Sequence, residues 1–510
     1  MSGARAQQKS SATVSLGAAF ATACAVRHDR DFLVDDDMRL GGASAERTSR
    51  RLAAVLRARG LRAGARIAFM CRPSVAHAVT WFAAVRLGAV ATNLHLLEPP
   101  ERLAETIAWL DADHVVHDEE FKDAADRIAA NATQLNIVGL SRLIEEASSA
   151  DASPLHLDTA APDDPVAIVL SSGSTGRPKG VVHTHASVLA SIAAGVALYR
   201  NIGSYDSVLV CIGTSFGGWC NVVLPFVGAG AKLAFQRRFE PQTFLAGLAA
   251  EKITIAPLVP TMWRMVLAQQ TQRYDLSAVR LAFMSGEAAS RRDVENVRAR
   301  IAPHVRAAYL STEGACASGV VADERDYVGD GPTAAHLLDS VEVGIVAADG
   351  RAGDRLPTEQ AGEILLRSAS LAQGYWKDPQ RTSDRFVDGW WRSGDTGFMT
   401  ADGRLVVAGR TDHVINSGGV KVQAEEIEAA LLAHPRIRQA AVVGLPDATW
   451  GQRAEAFVLS DVDAETITAW SRAEGFAPPL RFLKAIHVVD ALPTGPTGKL
   501  YRPALRAQKD

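Results

Sequence analysis

Short apolar runs that end in glycine, serine or threonine recur along most of the chain. Runs of this kind occupy 65–71 (ARIAFMC), 165–170, 207–213, 252–260, 279–287 and 304–314. Each is predicted to be a buried β-strand that ends in a polar turn. Between two of them, residues 241–252 place Phe244, Leu245 and Leu248 on one face of a predicted helix. Strands that alternate with helices predict α/β layers around a largely parallel sheet, with ligands at the carboxyl ends of the strands.

The pattern changes after about residue 360. Segments 362–368 and 404–410 are predicted hairpin strands, with a tight turn at 401–403. Residues 424–434 are predicted to form a short helix, and apolar runs at 440–445, 455–459 and 485–490 are further predicted strands. We therefore predict an α/β protein with a large N-terminal domain of layered subdomains (1–408), a hinge (409–412) and a small mobile α+β C-terminal domain (413–510).

Composition narrows the class of protein. The chain has 510 residues, 47% of them hydrophobic, and a net charge of −3, so it can form large cores and has no dedicated nucleic-acid or membrane surface. Five scattered cysteines without a CxxC pair argue against a disulfide framework or a zinc site and favour a reducing compartment. The N-terminal apolar stretch is alanine-rich and too weak for an export signal, and the most apolar window, 78–97, is interrupted by polar residues. We expect a cytoplasmic protein without stable membrane insertion.

One stretch, SSGSTGRPKG at 171–180, has the hydroxyls and glycines of a phosphate-binding loop. A Walker A loop requires a second glycine where Pro178 stands and a hydroxyl residue where Gly180 follows Lys179, so that interpretation fails at two positions. A solvent-exposed Ser/Gly linker is the alternative that this stretch alone leaves open.

Four further motifs follow in order. They are AYLSTEG (308–314), WRSGDTG (391–397), GRTDHVINSGGVKVQAEEIE (409–428) and LPTGPTGKLYR (492–502). Together with the first stretch they resemble the adenylate-forming superfamily of acyl-CoA synthetases, adenylation domains and luciferases, over roughly residues 45–503, and most of all an acyl- or aryl-CoA ligase. Five motifs in family order argue against a linker.

The resemblance implies two half-reactions. ATP and a carboxylic acid give an acyl-adenylate and pyrophosphate, and the thiol of coenzyme A then displaces AMP. Because anions meet in the first step, catalysis must come mainly from positioning, cations and hydrogen-bond donors.

The resemblance also assigns ATP-binding roles. The phosphate loop would comprise Ser171, Ser172, Gly173, Ser174 and the catalytic Thr175, with Lys179 as a nearby cation. The other nucleotide-binding positions would be Gly286, Glu287, Ala288, Tyr309, Leu310, Ser311, Thr312, Asp395 and Arg410. Among these, Tyr309 would lie against the adenine, Thr312 would bind the α-phosphate, and Asp395 would accept bonds from both ribose hydroxyls. The family usually has glycine where this chain has Leu310, so the loop could be displaced or the acyl pocket narrowed.

Three charged residues would have special roles by the same resemblance. Glu313 would be a catalytic residue and the ligand of Mg²⁺, a hard cation that prefers oxygen ligands. Lys499 would bridge the carboxylate and the α-phosphate during adenylation, and Asp412 would be the pivot of the hinge. Without the motifs, each would be read as an ordinary solvated or turn residue.

The acid itself is constrained by the segment 207–239, which contains no acidic residue to pair an α-ammonium group. An amino-acid substrate is therefore disfavoured, and a mostly apolar aliphatic or aryl acid is predicted. The expected acyl pocket comprises Thr214, Phe216, Trp219, Cys220, Met284 and Ala315. Phe216 and Trp219 are equally compatible with ordinary core packing.

The acceptor is predicted from the loop at 416–422, which resembles the pantetheine-facing loop of CoA ligases. Its CoA-binding positions would be Ser417, Gly418, Gly419 and Lys421. A carrier-protein thiol supplied in trans is the alternative acceptor, and a second copy of the chain is another candidate partner. Two other classes stay open at this stage: a luciferase-like oxygenase and a non-catalytic nucleotide-binding regulator.

Overall fold

The computed structural model describes most of the chain. The described residues are 15–151, 156–171, 178–215, 217–327, 333–348, 350–417, 420–447, 449–472, 478–494 and 500–507. Eight predicted site residues lie outside these ranges: Ser172, Gly173, Ser174, Thr175, Phe216, Gly418, Gly419 and Lys499.

The described residues form strands and helices throughout. The strands are β1 (Asp31–Val34), β2 (Arg39–Gly41), β3 (Arg66–Met70), β4 (Val90–Asn93), β5 (His114–His117), β6 (Asn136–Gly139), β7 (Pro165–Ser171), β8 (Lys179–Thr184), β9 (Ser207–Val210), β10 (Lys232–Phe235), β11 (Ile255–Leu258), β12 (Leu281–Ser285), β13 (His304–Tyr309), β14 (Val320–Asp323), β15 (Ala334–Leu337), β16 (Glu342–Val346), β17 (Gly362–Arg367), β18 (Gly374–Tyr375), β19 (Phe386–Val387), β20 (Trp390–Met399), β21 (Leu405–Arg410), β22 (Val414–Ser417), β23 (Val420–Gln423), β24 (Ile437–Asp447), β25 (Gly451–Ser460) and β26 (Leu483–Val488). The α-helices are α1 (Leu16–Arg27), α2 (Gly42–Ala58), α3 (Val75–Arg86), α4 (Pro100–Trp109), α5 (Lys122–Asn131), α6 (Leu140–Ser149), α7 (His185–Leu198), α8 (Leu224–Gly228), α9 (Pro241–Ala250), α10 (Pro260–Leu267), α11 (Arg291–Arg300), α12 (Pro379–Arg385), α13 (Ala424–Leu432), α14 (Ala464–Ser471) and α15 (Arg502–Ala507).

Contacts within the chain define two compact units. Unit 1 comprises Met1–Glu324 and Ser368–Thr382, and unit 2 comprises Arg325–Arg367 and Ser383–Asp510. The predicted hinge at 409–412 stays a prediction.

Unit 1 contains two sheets whose centres are parallel. In the first, the strands follow the order β14-β13-β12-β11-β9-β10-β1-β2, with parallel pairing from β13 to β1. In the second the order is β18-β8-β7-β4-β3-β5-β6, parallel from β7 to β6. The predicted α/β class with largely parallel sheets is confirmed. Because helices cover such sheets, a central strand can be apolar along most of its length, as in the buried run Ile67–Met70 of β3.

Local sequence explains where the helices of unit 1 begin. Ser74 precedes α3, and its hydroxyl accepts a hydrogen bond from the backbone N–H of His77. Thr184 precedes α7 and forms a reciprocal capping arrangement with Ser187. Such side chains satisfy N–H groups that have no partner inside the helix. The predicted helix at 241–252 is α9, and its three apolar residues are buried.

Unit 2 contains an antiparallel sheet in the order β16-β17-β20-β21-β15 and a second sheet in the order β23-β22-β25-β24, with β26 beside β25. The predicted turn at 401–403 connects β20 to β21, and Gly403 has a φ of +78° there. Strand β20 was not predicted, because Gly and Asp interrupt its apolar pattern, and it pairs with both β17 and β21. The predicted helix at 424–434 is α13, which buries Ile427 and Leu431.

Among the described residues, no helix combines the length and the apolar character needed to cross a bilayer.

Candidate active site

The first motif lies on a β-hairpin of unit 1. Strands β7 and β8 are antiparallel, and Ser171 at the end of β7 is directly opposite Lys179 at the start of β8. The connection between them contains the predicted phosphate loop, of which residues 172–177 lie outside the described part of the chain. The hairpin therefore places the first hydroxyl residue and the lysine of the motif at the two ends of one short connection.

The second motif lies at the carboxyl edge of the other sheet of unit 1. Strands β12 and β13 are parallel, with Ser285 opposite Ala308, so the segments that follow them emerge side by side. The first segment contains the predicted Gly286, Glu287 and Ala288, and the second begins after Tyr309. Gly286 has a φ of +87°, a conformation that favours glycine. Parallel strands thus bring these two segments side by side at one edge of the sheet.

The side chain of Glu287 is hydrogen-bonded to a neighbouring helix. Its carboxylate accepts hydrogen bonds from the hydroxyl of Thr261, at 2.8 Å, and from the backbone N–H of the same residue. Thr261 lies in α10, which begins directly after the turn that follows β11. The exposed loop after β12 is thus tied to the neighbouring helix.

The turn at 311–314 is held from several sides. Its Thr312 carbonyl oxygen accepts a hydrogen bond from Nε2 of His183 at 2.9 Å, and the Glu313 carbonyl oxygen accepts one from the N–H of Ala372 at 2.8 Å. Ala315, directly after the turn, has a φ of +47°, which is costly for a residue with a Cβ atom. Contacts from distant segments therefore maintain a strained backbone at this motif.

The side chain of Glu313 is aimed by a tyrosine. Glu313 is 9% exposed, and its Oε1 accepts a hydrogen bond from the Tyr375 hydroxyl at 2.9 Å. Tyr375 lies on β18, which pairs with β8, and its backbone N–H donates to Thr382. This bond orients the Glu313 carboxylate.

Unit 2 holds the third motif. Asp395 on β20 and Arg410 on β21 are direct cross-strand neighbours, and Arg410 donates to Asp395 at 3.1 Å. Arg410 also contacts the carboxylate of Asp412 at 3.3 Å. Burial alone would raise the pKa of Asp412, but the charges of Arg410 and His413 outweigh it and lower this pKa. One arginine therefore links the predicted ribose-binding carboxylate to the predicted hinge carboxylate.

The fourth motif is the β22–β23 hairpin of unit 2. Ser417 is buried, faces Val420 across the hairpin and pairs with Gly451 of β25. The hairpin is thereby attached to the C-terminal sheet.

A small cavity in unit 1 contains part of the predicted acyl pocket. It is lined by Trp81, Ala91, Asn93, Ala167, Ile168, Val169, Leu170, Thr214, Ser215, Trp219 and Cys220. Three predicted pocket residues, Thr214, Trp219 and Cys220, meet there. Met284 and Ala315 are buried but do not line this cavity.

Sequence reasoning missed several residues of these sites. Trp81 and Asn93 of the cavity come from α3 and β4, and Tyr375 lies 62 residues after the glutamate that it contacts. No motif or periodicity marks them, because their roles depend on strands that meet only in the folded chain.

Buried histidines in unit 1 predict a pH dependence of stability. Burial lowers the pKa of His77 and of His183 to about 4, from an ordinary value of 6.5. Between these values the unfolded chain binds protons that the folded chain does not, so stability must fall as the pH drops from 6.5 towards 4. We expect a loss of about 1 kcal/mol per imidazole at pH 5.5. Denaturant unfolding from pH 7 to 5 measures it. The His77→Gln variant should show a shallower slope, and an unchanged slope would contradict this origin.

The hairpin with Ser171 and Lys179, the buried Glu313 and the Asp395–Arg410 pair are features typical of a nucleotide-binding enzyme. Comparison with known proteins identifies the class of enzyme. Residues 20–376 match the family described as AMP-binding enzyme, and residues 426–499 match its C-terminal domain. The chain belongs to the AMP-binding enzyme family. It is an AMP-forming acid–thiol ligase, as the order of its motifs predicted.

Individual relatives cover nearly the whole chain. It is 31% identical to 4-coumarate–CoA ligase 5 of Oryza sativa subsp. japonica, over 94% of this chain and 92% of that protein. It is 29% identical to a feruloyl-CoA synthase of Amycolatopsis sp, over 89% of this chain and 91% of that protein. A solved structure of the anthranilate CoA ligase AuaEII with anthranoyl-AMP has a TM-score of 0.86 at 23% identity, over 97% of each chain, and supports the fold.

Proposed function

We propose that the enzyme activates a mostly apolar acid, with aryl acids first, and transfers the acyl group to coenzyme A. The observation that carries this proposal is the cavity of unit 1, whose described lining is apolar, aromatic or neutral and contains no carboxylate. An α-ammonium group buried there would have no counter-ion, which disfavours amino acids. The relatives named for coumarate and ferulate, together with the anthranilate ligase structure, support an aryl acid.

The two half-reactions assign distinct tasks to the chain. In the first, an oxygen of the acid's carboxylate attacks the α-phosphorus of ATP, and pyrophosphate leaves. The hydroxyls and N–H groups of the loop after Ser171, with Lys179, would hold the departing phosphates, and Asp395 would accept bonds from the ribose. In the second, the thiol of CoA gives up its proton to solvent, its sulfur attacks the acyl carbon, and AMP leaves. Adenylation needs positioning and charge rather than an acid–base residue.

Magnesium is the proposed cofactor, and Glu313 is its proposed ligand. Across the described residues no cluster of three or more His, Cys, Asp or Glu could hold a metal ion. Mg²⁺ nevertheless commonly binds through one or two carboxylates and the phosphates of its substrate, and a buried carboxylate oriented by Tyr375 fits this use. When bound, the ion supplies positive charge to the phosphate oxygens.

Replacement of Glu313 by glutamine tests this ligand. We expect the Mg²⁺ concentration for half-maximal acyl-adenylate formation to rise about tenfold or more, because a neutral amide replaces an anionic ligand. ATP–pyrophosphate exchange at varied Mg²⁺ measures it. Tyr375→Phe, which keeps the carboxylate and removes its orienting bond, should give a smaller change in the same direction. An unchanged Mg²⁺ requirement in Glu313→Gln would assign the ion to another ligand.

The C-terminal domain is proposed to rotate between the half-reactions about Asp412. Lys499 and the β22–β23 hairpin are both assigned to the same acyl–phosphate centre, and they serve different steps, so one rotation would exchange them. We also propose a cytoplasmic location, consistent with five buried free cysteines. An acyl carrier protein as acceptor and a homodimer remain proposals to be tested.

A release assay tests the function as a whole. Pyrophosphate release is measured over aliphatic, aryl and dicarboxylic acids, with ATP and Mg²⁺, with and without CoA. We expect aryl acids to give the highest kcat/KM, and turnover with CoA to yield acyl-CoA and AMP. If turnover occurs only with a phosphopantetheine-loaded carrier protein, that protein and not CoA is the acceptor. Oxygen uptake or light emission would indicate an oxygenase.

A further inference from the structure

Trp219 occupies a distinctive place in unit 1. It begins a π-helical segment, Trp219–Val223, directly before α8. It is 2% exposed, and its ring lies 5.3 Å from the ring of Trp81 and 4.8 Å from that of His77. Single π-helical turns are rare and often occur at functional sites. The π-helical segment of this protein places the side chain of Trp219 in the lining of the cavity.

The π-helical segment is anchored from outside. The hydroxyl of Tyr199 donates to the carbonyl oxygen of Asn221 at 2.6 Å, and Sγ of Cys316 contacts the same oxygen at 3.5 Å. Tyr199 is buried against Phe226 and Phe283. Trp219 is thus carried on a rigid backbone, which suits a side chain that sets the shape of a pocket.

Some polar groups around the cavity have hydrogen-bond partners and others have none. Nδ2 of Asn93 donates to the carbonyl oxygen of Thr214 at 3.1 Å, and Oδ1 of Asn93 accepts from Nε2 of His77 at 3.0 Å. Asn93 is therefore engaged on both sides, and burial keeps His77 neutral by lowering its pKa to about 4. Two buried ring nitrogens here have no hydrogen-bond partner among the described residues: Nδ1 of His77 and the indole Nε1–H of Trp219.

An unsatisfied buried donor needs a partner. Indole is a donor only, and leaving it unpaired in an apolar interior costs free energy. Trp263 in the same unit shows the usual solution: it is fully buried, and it donates its Nε1–H to the carbonyl oxygen of Phe283 at 3.2 Å. Trp219 lines the cavity, so an acid bound there can supply the acceptor.

The cavity also continues along β7 towards the phosphate loop. Residues 167–170 of β7 line it, and the next residue is Ser171, the first position of the loop. An acid whose carboxylate is activated near that loop would extend its tail along this wall. Trp219, which packs on Trp81 and lines the same cavity, would then meet the distal end of the acid.

We propose that Trp219 selects for acids that carry a hydrogen-bond acceptor at the end remote from the carboxylate, by donating its indole N–H to that acceptor. The class comprises aryl acids with a distal hydroxyl, ether or carbonyl oxygen. This inference rests on the proposed function and adds a specificity-determining residue to it.

Pairs of acids that differ in one distal group test the inference in the unmodified enzyme. The probes are benzoic and cinnamic acids with a para-hydroxyl or a para-methyl group, which are similar in size. In the series whose tail reaches Trp219, kcat/KM for the hydroxyl acid should exceed that for the methyl acid about tenfold, the value of one hydrogen bond. A ratio of one or less in both series would overturn the proposal, whatever the behaviour of any variant.

The variant Trp219→Phe removes the N–H and retains an aromatic ring. It should reduce the hydroxyl-to-methyl ratio of kcat/KM towards one, whatever its effect on the rate with either acid alone. Trp263→Phe, which removes a satisfied buried indole in the same unit, should keep the wild-type ratio. A wild-type ratio in Trp219→Phe would overturn the assignment. Failure of the proposed function would look different, since no acid would then support CoA-dependent AMP formation in the unmodified enzyme.

Discussion

Replacing Lys499 with alanine is expected to lower the rate of acyl-adenylate formation by about 10²–10³-fold. The resemblance of PTGPTGKLYR to the family's C-terminal motif is the basis for proposing that Lys499 bridges the acid's carboxylate and the α-phosphate, where negative charge gathers as the new bond forms. A fixed ammonium group at that point stabilises the transition state more than the separated substrates. Pyrophosphate release in a single turnover measures this step.

The effect of Lys499→Ala on the second half-reaction should be much smaller than its effect on the first. If Lys499 serves adenylation alone, the variant should convert supplied acyl-adenylate and CoA to acyl-CoA at a rate within about threefold of the wild type. Lys122→Ala is a suitable control, because Lys122 is an exposed surface lysine that pairs with Asp126 one helical turn away. It should leave both steps unchanged. Equal losses in both half-reactions of Lys499→Ala would contradict the assigned role.

Replacing Arg86 with methionine is expected to lower the free energy of unfolding by about 3 kcal/mol. The guanidinium of Arg86 is fully buried at the end of α3 and lies 2.6 Å from Glu46 and 3.1 Å from Asp158. It also donates to the hydroxyl of Ser49. Methionine fills much of the same space but leaves two largely buried carboxylates without this cation, and such charges are costly. Thermal and denaturant unfolding measure the loss.

Arg50 offers a matched control for this prediction. It pairs with the same carboxylate, Glu46, at 2.9 Å, but its side chain is 40% exposed. Because water screens an exposed pair, Arg50→Met should cost no more than about 0.5 kcal/mol. Similar losses in the two variants would show that burial of Arg86 is not the cause.

The sequence alone predicted much of the fold, for a simple reason. A strand that is covered by helices on both faces is mostly apolar, so β3, β7, β9, β11 and β12 could be located from short apolar runs. Strand β20, one of the strands that escaped prediction, has its apolar residues interrupted by Gly394 and Asp395. Its hydrogen bonds to β17 and β21 hold it in place, and those bonds cannot be read from local composition.

The functional predictions can also be separated into those that the sequence allowed and those that required the tertiary structure. The order of the five motifs determined the family and the acid–thiol ligase class, because phosphate and carboxylate chemistry requires hydroxyls, glycines and charges in contiguous loops. The tertiary structure decided what surrounds those loops. It brought Tyr375 to Glu313 across 62 residues, and it joined Trp81, Asn93 and Trp219 around one cavity. These contacts depend on strand order and on the packing of helices against sheets. They involve residue pairs too far apart in the chain for any local pattern to specify, and so only the folded chain determines how the acid would be recognised.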